Sequence, residues 1–366
     1  RTSESFLGVV LGYPEDVDLR TRIAVADAPR APQARIALGV IGAGLFANAT
    51  MLPVIRKLPV FDRAVVTAGA GLQAVSAARR FSFRHAASTA DEVLADPAID
   101  LVAVLTRHSS HARMVTRALE TGKHVFVEKP LCVTTDELAQ VIAARSAATR
   151  DGRPPMVMVG FNRRFAPMVV DAARALSEVR EPLLLHYRVN AGFIPASHWT
   201  QHAGEGGRII GEACHFIDLL VHLARRKVVR VTGRALPDSG RYQRDNVSIA
   251  LDFEDGSLGL VAYLANGAKD AGKEWLEVSG GGVTVRLDDY RRLDVFGGRP
   301  MSRRSRLRQD KGHTAEWAAL AAHLSAGAPE PMSFDSIVHS TRVTLAAAES
   351  VATGEPVPVV TEEGQA

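Results

Sequence analysis

Between Ile36 and Val127 the chain alternates short, almost wholly apolar runs with stretches of helical periodicity, and this alternation admits very few folds. The runs cover Ile36 to Ile41, Ala64 to Ala68, Leu101 to Leu105 and His124 to Val127. Helical stretches over Leu72 to Phe81 and Ser110 to Glu120 fall between them. Apolar residues at every position suit a strand covered on both faces, as in a parallel sheet whose crossovers are helices. The pattern predicts a doubly wound parallel sheet of Rossmann type, with ligands at the carboxyl ends of its strands.

The first of these strands runs into Gly42-Ala43-Gly44-Leu45-Phe46-Ala47, a G-x-G-x-x-A loop. Gly42 permits the sharp turn, Gly44 lets backbone amides approach a pyrophosphate, and Ala47 is small enough for the next helix to pack against the strand. A helix N-terminus then faces the phosphates. The second strand ends in Thr67-Ala68-Gly69-Ala70-Gly71, where an acid would take the ribose 2′-hydroxyl of NAD and an arginine the 2′-phosphate of NADP. Neither stands there, so both dinucleotides remain open, with Gly42, Gly44, Leu45, Phe46, Ala47 and Gly69 as binding candidates. Thr106, Arg107, His108 and His111 follow the third strand, and Glu128-Lys129-Pro130 follows the fourth. These residues are candidates for the nicotinamide end. Pro130 disfavours the helical region for Lys129 and keeps it extended. A lysine beside oxidised nicotinamide meets like charge, releases its proton more readily, and can act as an acid or base near neutrality.

With 366 residues the chain is long enough for two cores. Residues 1–34 read as an extension or linker, ending in Asp27-Ala28-Pro29-Arg30-Ala31-Pro32-Gln33-Ala34. Residues 35–155 form the dinucleotide-binding domain, and residues 156–366 a substrate-binding and oligomerisation domain. In the latter, Leu183 to Asn190, Val247 to Phe253, Leu258 to Leu264, Trp275 to Ser279 and Val283 to Leu287 alternate apolar and polar positions. That period predicts a large open antiparallel sheet with one covered face in an α+β domain.

The helical stretch from Arg208 to Ala224 carries Glu212, His215 and Asp218 three residues apart, a spacing that can put a carboxylate beside an imidazole. Upstream, Asn190, His198 and Trp199 mix hydrogen-bonding groups with an aromatic face on one loop, which suits a sugar ring.

Other function classes find little support. Apolar residues are 46% and charged residues 23% of the chain, ordinary for a folded soluble protein, and no apolar run approaches the roughly 18–20 residues of a spanning helix. The net charge of +4 is spread among acids; the densest basic stretch, Arg303, Arg304, Arg306 and Arg308, lacks interleaved aromatics, so nucleic acid is not expected. Two cysteines, Cys132 and Cys214, and no opening signal peptide point to a reducing cytoplasm. No compact Cys/His set implies a metal: His108, His111, His198, His202, His215 and Cys214 lack the repeated close pairing of a zinc site. The elbow of serine hydrolases and the P-loop are absent.

The glycine loop, Thr106-Arg107-His108-Ser109-Ser110-His111, the run Gly122 to Leu131 with its Glu-Lys-Pro, Phe161 to Pro167 and Gly206 to Asp218 together resemble the glucose-fructose oxidoreductase, inositol dehydrogenase and rhizopine-catabolism (GFO/IDH/MocA) family. The resemblance runs from Ile36 to nearly the C-terminus. It implies that Lys129 and His215 are acid/base groups, with Glu212 beside them, and that Lys129, Arg164, Asn190, His198, Trp199, Glu212 and His215 bind substrate. It implies hydride transfer between NAD(P) and a secondary hydroxyl of a sugar, sugar derivative or cyclitol, by a homodimer or homotetramer. Redox-neutral chemistry with recycled NAD(P), as in an epimerase or an oxidation-elimination glycosidase, is the alternative within the family, and a non-catalytic dinucleotide sensor the alternative outside it. The loop from Asn190 to Trp199 and Gln309-Asp310-Lys311-Gly312-His313 resemble a subgroup fused behind a zinc-type alcohol dehydrogenase domain, in line with the linker-like N-terminus. Two departures stand out. The family's Pro-Asn is Arg107-His108 here, and the aspartate that inositol dehydrogenases carry four residues before the histidine is Gly211.

Overall fold

A computed structural model describes residues 21–25, 35–202, 204–238, 240–305 and 308–360; the proline-bearing stretch 27–34 lies outside them. The first sheet contains β1 (Arg22–Ala24), β2 (Ile36–Ile41), β3 (Phe61–Thr67), β4 (His85–Ala87), β5 (Leu101–Val104), β6 (His124–Val127) and β7 (Val157–Val159), in the order β1-β4-β3-β2-β5-β6-β7. From β4 to β7 all pairs are parallel, as the apolar runs imply. β1 was not foreseen: a stretch read as extension pairs antiparallel with β4 at the sheet edge. The strand order reverses beside β2, so the crevice at the carboxyl ends of β2 and β5 is the expected ligand position.

Helices α1 (Leu52–Arg56), α2 (Gly71–Phe81), α3 (Asp91–Leu94), α4 (His111–Glu120) and α5 (Thr135–Ala147) alternate with these strands. Pro53 lacks the N–H that a regular ladder requires, and the turn before α1, Ala47–Met51, is a wide π turn. The side-chain amide of Asn48 donates to the carbonyls of Ala43 and Gly44 and pins the glycine loop to it.

The second half contains α6 (Pro167–Ala175), β8 (Leu184–Asn190), α7 (Cys214–Ala224), β9 (Val228–Ala235), β10 (Val247–Phe253), β11 (Leu258–Leu264), β12 (Glu274–Gly280), β13 (Val283–Asp288), β14 (Arg292–Phe296), β15 (Met301–Arg304), α8 (His313–Ala326), α9 (Phe334–Thr353) and β16 (Val357–Pro358). Its sheet has nine strands in the order β15-β14-β13-β12-β8-β11-β10-β9-β16. One face, with Leu185, Tyr187, Val189, Ile249, Leu251, Val261, Leu276 and Val278, forms a single core with α6, α7 and α9. The expected antiparallel sheet is correct except for one pair: β8 and β11 run parallel. The chain leaves β8 through α7 and returns by β9 and β10, and that long crossover permits parallel pairing.

The two halves interlock. Trp317 and Leu320 of α8 pack into the core under β2 and β6 with Leu38, Phe61 and Phe126. Met332, Phe334 and Ile337, at the start of α9, join the core on the sheet's other face. Among the described residues no helix is long and apolar enough to cross a membrane.

Candidate active site

The glycine loop turns where β2 ends. Gly42 has φ +102°, and a Cβ there would lie 2.7 Å from the Leu105 carbonyl oxygen, so the turn tolerates glycine alone. Gly44, Gly69 and Gly71 differ: a Cβ at any of them would meet no atom within 4 Å, because they border open space. Leu45 and Leu72 project beside them with 88% and 87% of their surface exposed. An open cradle of glycines, free amides at a helix start and two bare apolar side chains fit a dinucleotide. Arg79 and Arg80 lie exposed in the last turn of α2, away from the cradle.

At the carboxyl ends of β5 and β6 a cleft of about 430 Å³ opens between the halves, lined by Phe46, His108, Lys129, Trp199, Gly211, Glu212, His215 and others. Lys129 crosses it: its ammonium donates to the Gly211 carbonyl at 2.7 Å, four residues before His215. Gly211 belongs to a π turn, Ile209–Ala213, that leads into α7, which carries His215. Glu128 is buried under Gly160, where a Cβ would come within 2.8 Å of its carboxylate. Burial pushes its carboxyl up to about 7, against the pull of the Lys129 charge.

His215 lines the cleft, and its Nδ1 is buried with no protein partner. Burial first, then Arg163 and Lys129, hold its conjugate acid well below the usual imidazole range, so the ring is neutral. Neither acid expected to orient it does so. Glu212 sits in the wide π turn, where a spacing of three no longer stacks side chains, and it pairs with Arg208, Tyr263 and Lys273. Asp218 does lie one α-turn on, but Arg164 holds it in a two-pronged pair. Burial raises the Glu212 carboxyl, yet Arg208 and Lys273 outweigh it and the group stays ionised below its usual range.

Other candidates divide similarly. His108 is in the cleft wall, its Nδ1 2.9 Å from the Glu205 carbonyl. A carbonyl only accepts, so Nδ1 carries the proton and Nε2 is left as an acceptor. Burial, then Lys129, lowers this ring to about 3. Trp199 meets His108 edge to face at 4.7 Å, and the Arg107 guanidinium lies 5.8 Å from the Trp199 ring centroid. Thr106 hydrogen-bonds Ser110 at 2.6 Å. His111 turns away from the cleft: fully buried, its ring nitrogens lie 2.7 and 3.1 Å from the carbonyls of Pro130 and Thr106, tying two strand ends together. Asn190 donates to the Ala268 and Gly272 carbonyls, and His198 caps a short turn through Thr200. Neither reaches the cleft lining. Arg164 faces Asp218, Ser336 and Ser340 inside the core; its neighbour Arg163 lines the cleft and grips Glu274 with two nitrogens at 2.9 Å.

Lys273, Lys311 and His313 also line the cleft and were not expected there. Lys311 and His313 lie inside the quoted stretch that leads into α8, and a reading of that stretch as a cleft wall would have found them. Lys273 has no local signal. Among the described residues, no three His, Cys, Asp or Glu side chains gather closely enough to hold a metal ion.

Residues 36–160 match the profile of the GFO/IDH/MocA oxidoreductase family, NAD-binding Rossmann fold. Over that segment, about a third of its length, the chain is similar to that family. The inositol 2-dehydrogenase 2 of Saccharopolyspora erythraea is 28% identical over 88% of this chain and 95% of its own length. The NAD(+)-dependent scyllo-inositol 2-dehydrogenase of Bacillus subtilis is 33% identical over 177 residues, 46% of this chain; the match spans half of that relative. Among solved structures, levoglucosan dehydrogenase in complex with NADH and levoglucosan superposes with a TM-score of 0.75 at 22% identity, covering 89% of this chain and 100% of its own. GenD2 of gentamicin A biosynthesis, in complex with NAD, gives 0.74 at 22%, over 90% and 97%. These likenesses agree on a Rossmann domain followed by a mostly antiparallel sheet.

Proposed function

We propose that the chain is an NAD(P)-dependent dehydrogenase acting on a secondary hydroxyl of a sugar, sugar derivative or cyclitol. One observation carries this reading: Lys129, from the end of a parallel strand, and His215, from a helix of the other half, line one cleft, and the ammonium already spans it. The relatives that act on inositols and levoglucosan support the substrate class.

The amides of Gly44, Leu45 and Phe46, at the start of a helix, would hold the pyrophosphate, and the nicotinamide would lie beside Lys129. When bound, that ring supplies the two-electron oxidant or reductant. The protein handles the proton. Lys129 gives its hydrogen bond to Gly211 until a substrate oxygen replaces that carbonyl. His215, neutral and with no carboxylate beside it, accepts the hydroxyl proton as the C=O bond forms and returns it in the reverse direction. Glu212 stays ionised and accepts hydrogen bonds from neighbouring hydroxyls. A second copy of the chain is the proposed partner, against the outer face of the nine-stranded sheet, where Leu184 and Leu258 are exposed.

Lys129→Ala should lower turnover by about two to four orders of magnitude, while dinucleotide affinity, read by fluorescence titration, stays within a few-fold. Unchanged turnover on a panel of polyols and sugars would refute the role of Lys129.

A further inference from the structure

The cleft carries more positive charge than a neutral sugar can use. Its lining contains five cations, Lys129, Arg163, Arg208, Lys273 and Lys311, but only two carboxylates, Glu128 and Glu212. A third, Glu274, is buried behind it. Each ionised carboxylate is shared by two cations. Glu212 faces Arg208 at 2.9 Å and Lys273 at 3.5 Å. Glu274 faces Arg163 at 2.9 Å and Lys311 at 2.6 Å. Each cluster keeps one unanswered charge, and Lys129 adds another, because its partner is a carbonyl. Glu128 offsets this only in part, since burial leaves its carboxyl substantially protonated at neutral pH. Behind the lining, Asp218 is answered by Arg164, whereas Glu205 and Asp245 accept from the neutral Ser109 and Gln201 and so take back part of the surplus. The histidines His108, His215 and His313 are neutral and cancel nothing.

The surplus is placed for a ligand. Arg163 has its planar fork committed to Glu274, Arg208 gives its Nε to Glu212 and its Nη1 to the Gly192 carbonyl, and both are almost fully buried. The two ammonium groups are not so confined: the Lys311 side chain is 20% and the Lys273 side chain 43% exposed, and both keep free N–H donors. An ammonium on a flexible stem can turn from a shared carboxylate to an incoming anion, at a half-dry site where the attraction exceeds its value in water.

This inference rests on the dehydrogenase reading and narrows it. We propose that the substrate is an acidic polyol, a sugar or cyclitol carrying a carboxylate or a phosphate, whose anionic group is held by Lys273 and Lys311 while its hydroxyl lies at Lys129 and His215. Uronates test the carboxylate and sugar phosphates the phosphate. The experiment compares kcat/KM, with NAD and with NADP, for glucuronate, galacturonate and glucose 6-phosphate against glucose, galactose and myo-inositol. At least one acid should exceed its neutral parent by about tenfold or more, the worth of one well-placed charge. That ratio should shrink in Lys273→Gln and Lys311→Gln and when salt rises from about 0.05 to about 0.5 M. Neutral parents turned over as well as the acids, or an acid preference that neither substitution reduces, would overturn the proposal. If nothing in the panel turns over, the dehydrogenase reading fails. Calorimetric titration of the same six compounds onto the protein with NADH then decides the charge claim by itself: tighter binding of an acid than of its parent supports it, and equal binding refutes it.

Discussion

His108 stands where a side chain at position 211 would begin. A Cβ on Gly211 would lie 2.5 Å from the His108 Cε1, so the two departures from the family pattern, histidine for asparagine and glycine for aspartate, meet in one contact between the halves. Gly211→Asp should therefore destabilise the protein by roughly 1–3 kcal/mol through overpacking, and adding His108→Ala should recover most of the loss in a urea titration. An additive double variant would show that the ring and the glycine are independent. At this scale the sequence was half legible. Lys129, Glu212, Trp199 and His215 were readable because motifs contain them. The choice of Arg164 over Arg163 went wrong because two adjacent arginines in a short turn point to opposite sides, one to the core and one to the cleft. Lys273 is positioned only by the register of β12 against β8, which local spacing does not encode.

The element that binds the site together is β12. From its first residue, the buried Glu274 accepts hydrogen bonds from Arg163, Lys311 and Tyr187, and so joins the turn before α6, the loop before α8 and the central strand β8. Burial alone would raise this carboxyl, but Arg163 and Lys311 bring it down to about 2. Glu274→Gln keeps the volume and leaves a buried guanidinium without its countercharge. We expect a loss of about 3–5 kcal/mol in equilibrium unfolding; a loss below 1 kcal/mol would mean that the network is incidental. Period-two alternation revealed β8, β10, β11, β12 and β13, whose inner faces are apolar or aromatic apart from Glu274. It missed β9, where Val228 and Val229 stand side by side at a register shift against β10, the short β14, and β15, whose Met-Ser-Arg-Arg carries no apolar face. The π turn before α7 was invisible for a related reason: a one-residue change of pitch leaves the apolar spacing of the following helix intact.

At the scale of the whole molecule, two buried carboxyl groups disfavour their charged form. Besides Glu128, Glu316 of α8 is fully buried, and neither of its oxygens meets a protein donor. Burial, then the charge of Glu128, pushes its carboxyl well above the usual range. Acids raised in the folded state are protonated there while the unfolded chain has already released its protons, so stability is full below the unfolded value and falls as pH rises toward the folded one. For Glu128, between the ordinary carboxylate range and about 7, the loss should approach roughly 3 kcal/mol. Glu128→Gln should remove it: denaturant titrations from pH 5 to pH 8 should show the parent losing stability relative to the variant. Parallel pH dependence in the two would contradict this. The division into a Rossmann half and a sheet half could be read from the change of hydrophobic period. The interlocking could not, because Trp317 follows the second sheet in the chain yet packs beneath the first.

The account depends on an ammonium from one half and an imidazole from the other meeting at one alcohol. The most direct test is a crystal structure of the protein with a reduced dinucleotide and a polyol that it turns over. Lys129 Nζ and a ring nitrogen of His215 should both lie within about 2.6–3.2 Å of the same substrate oxygen. A polyol bound so that its oxygens touch neither group, or a nicotinamide ring lying outside the cleft that contains them, would contradict the account.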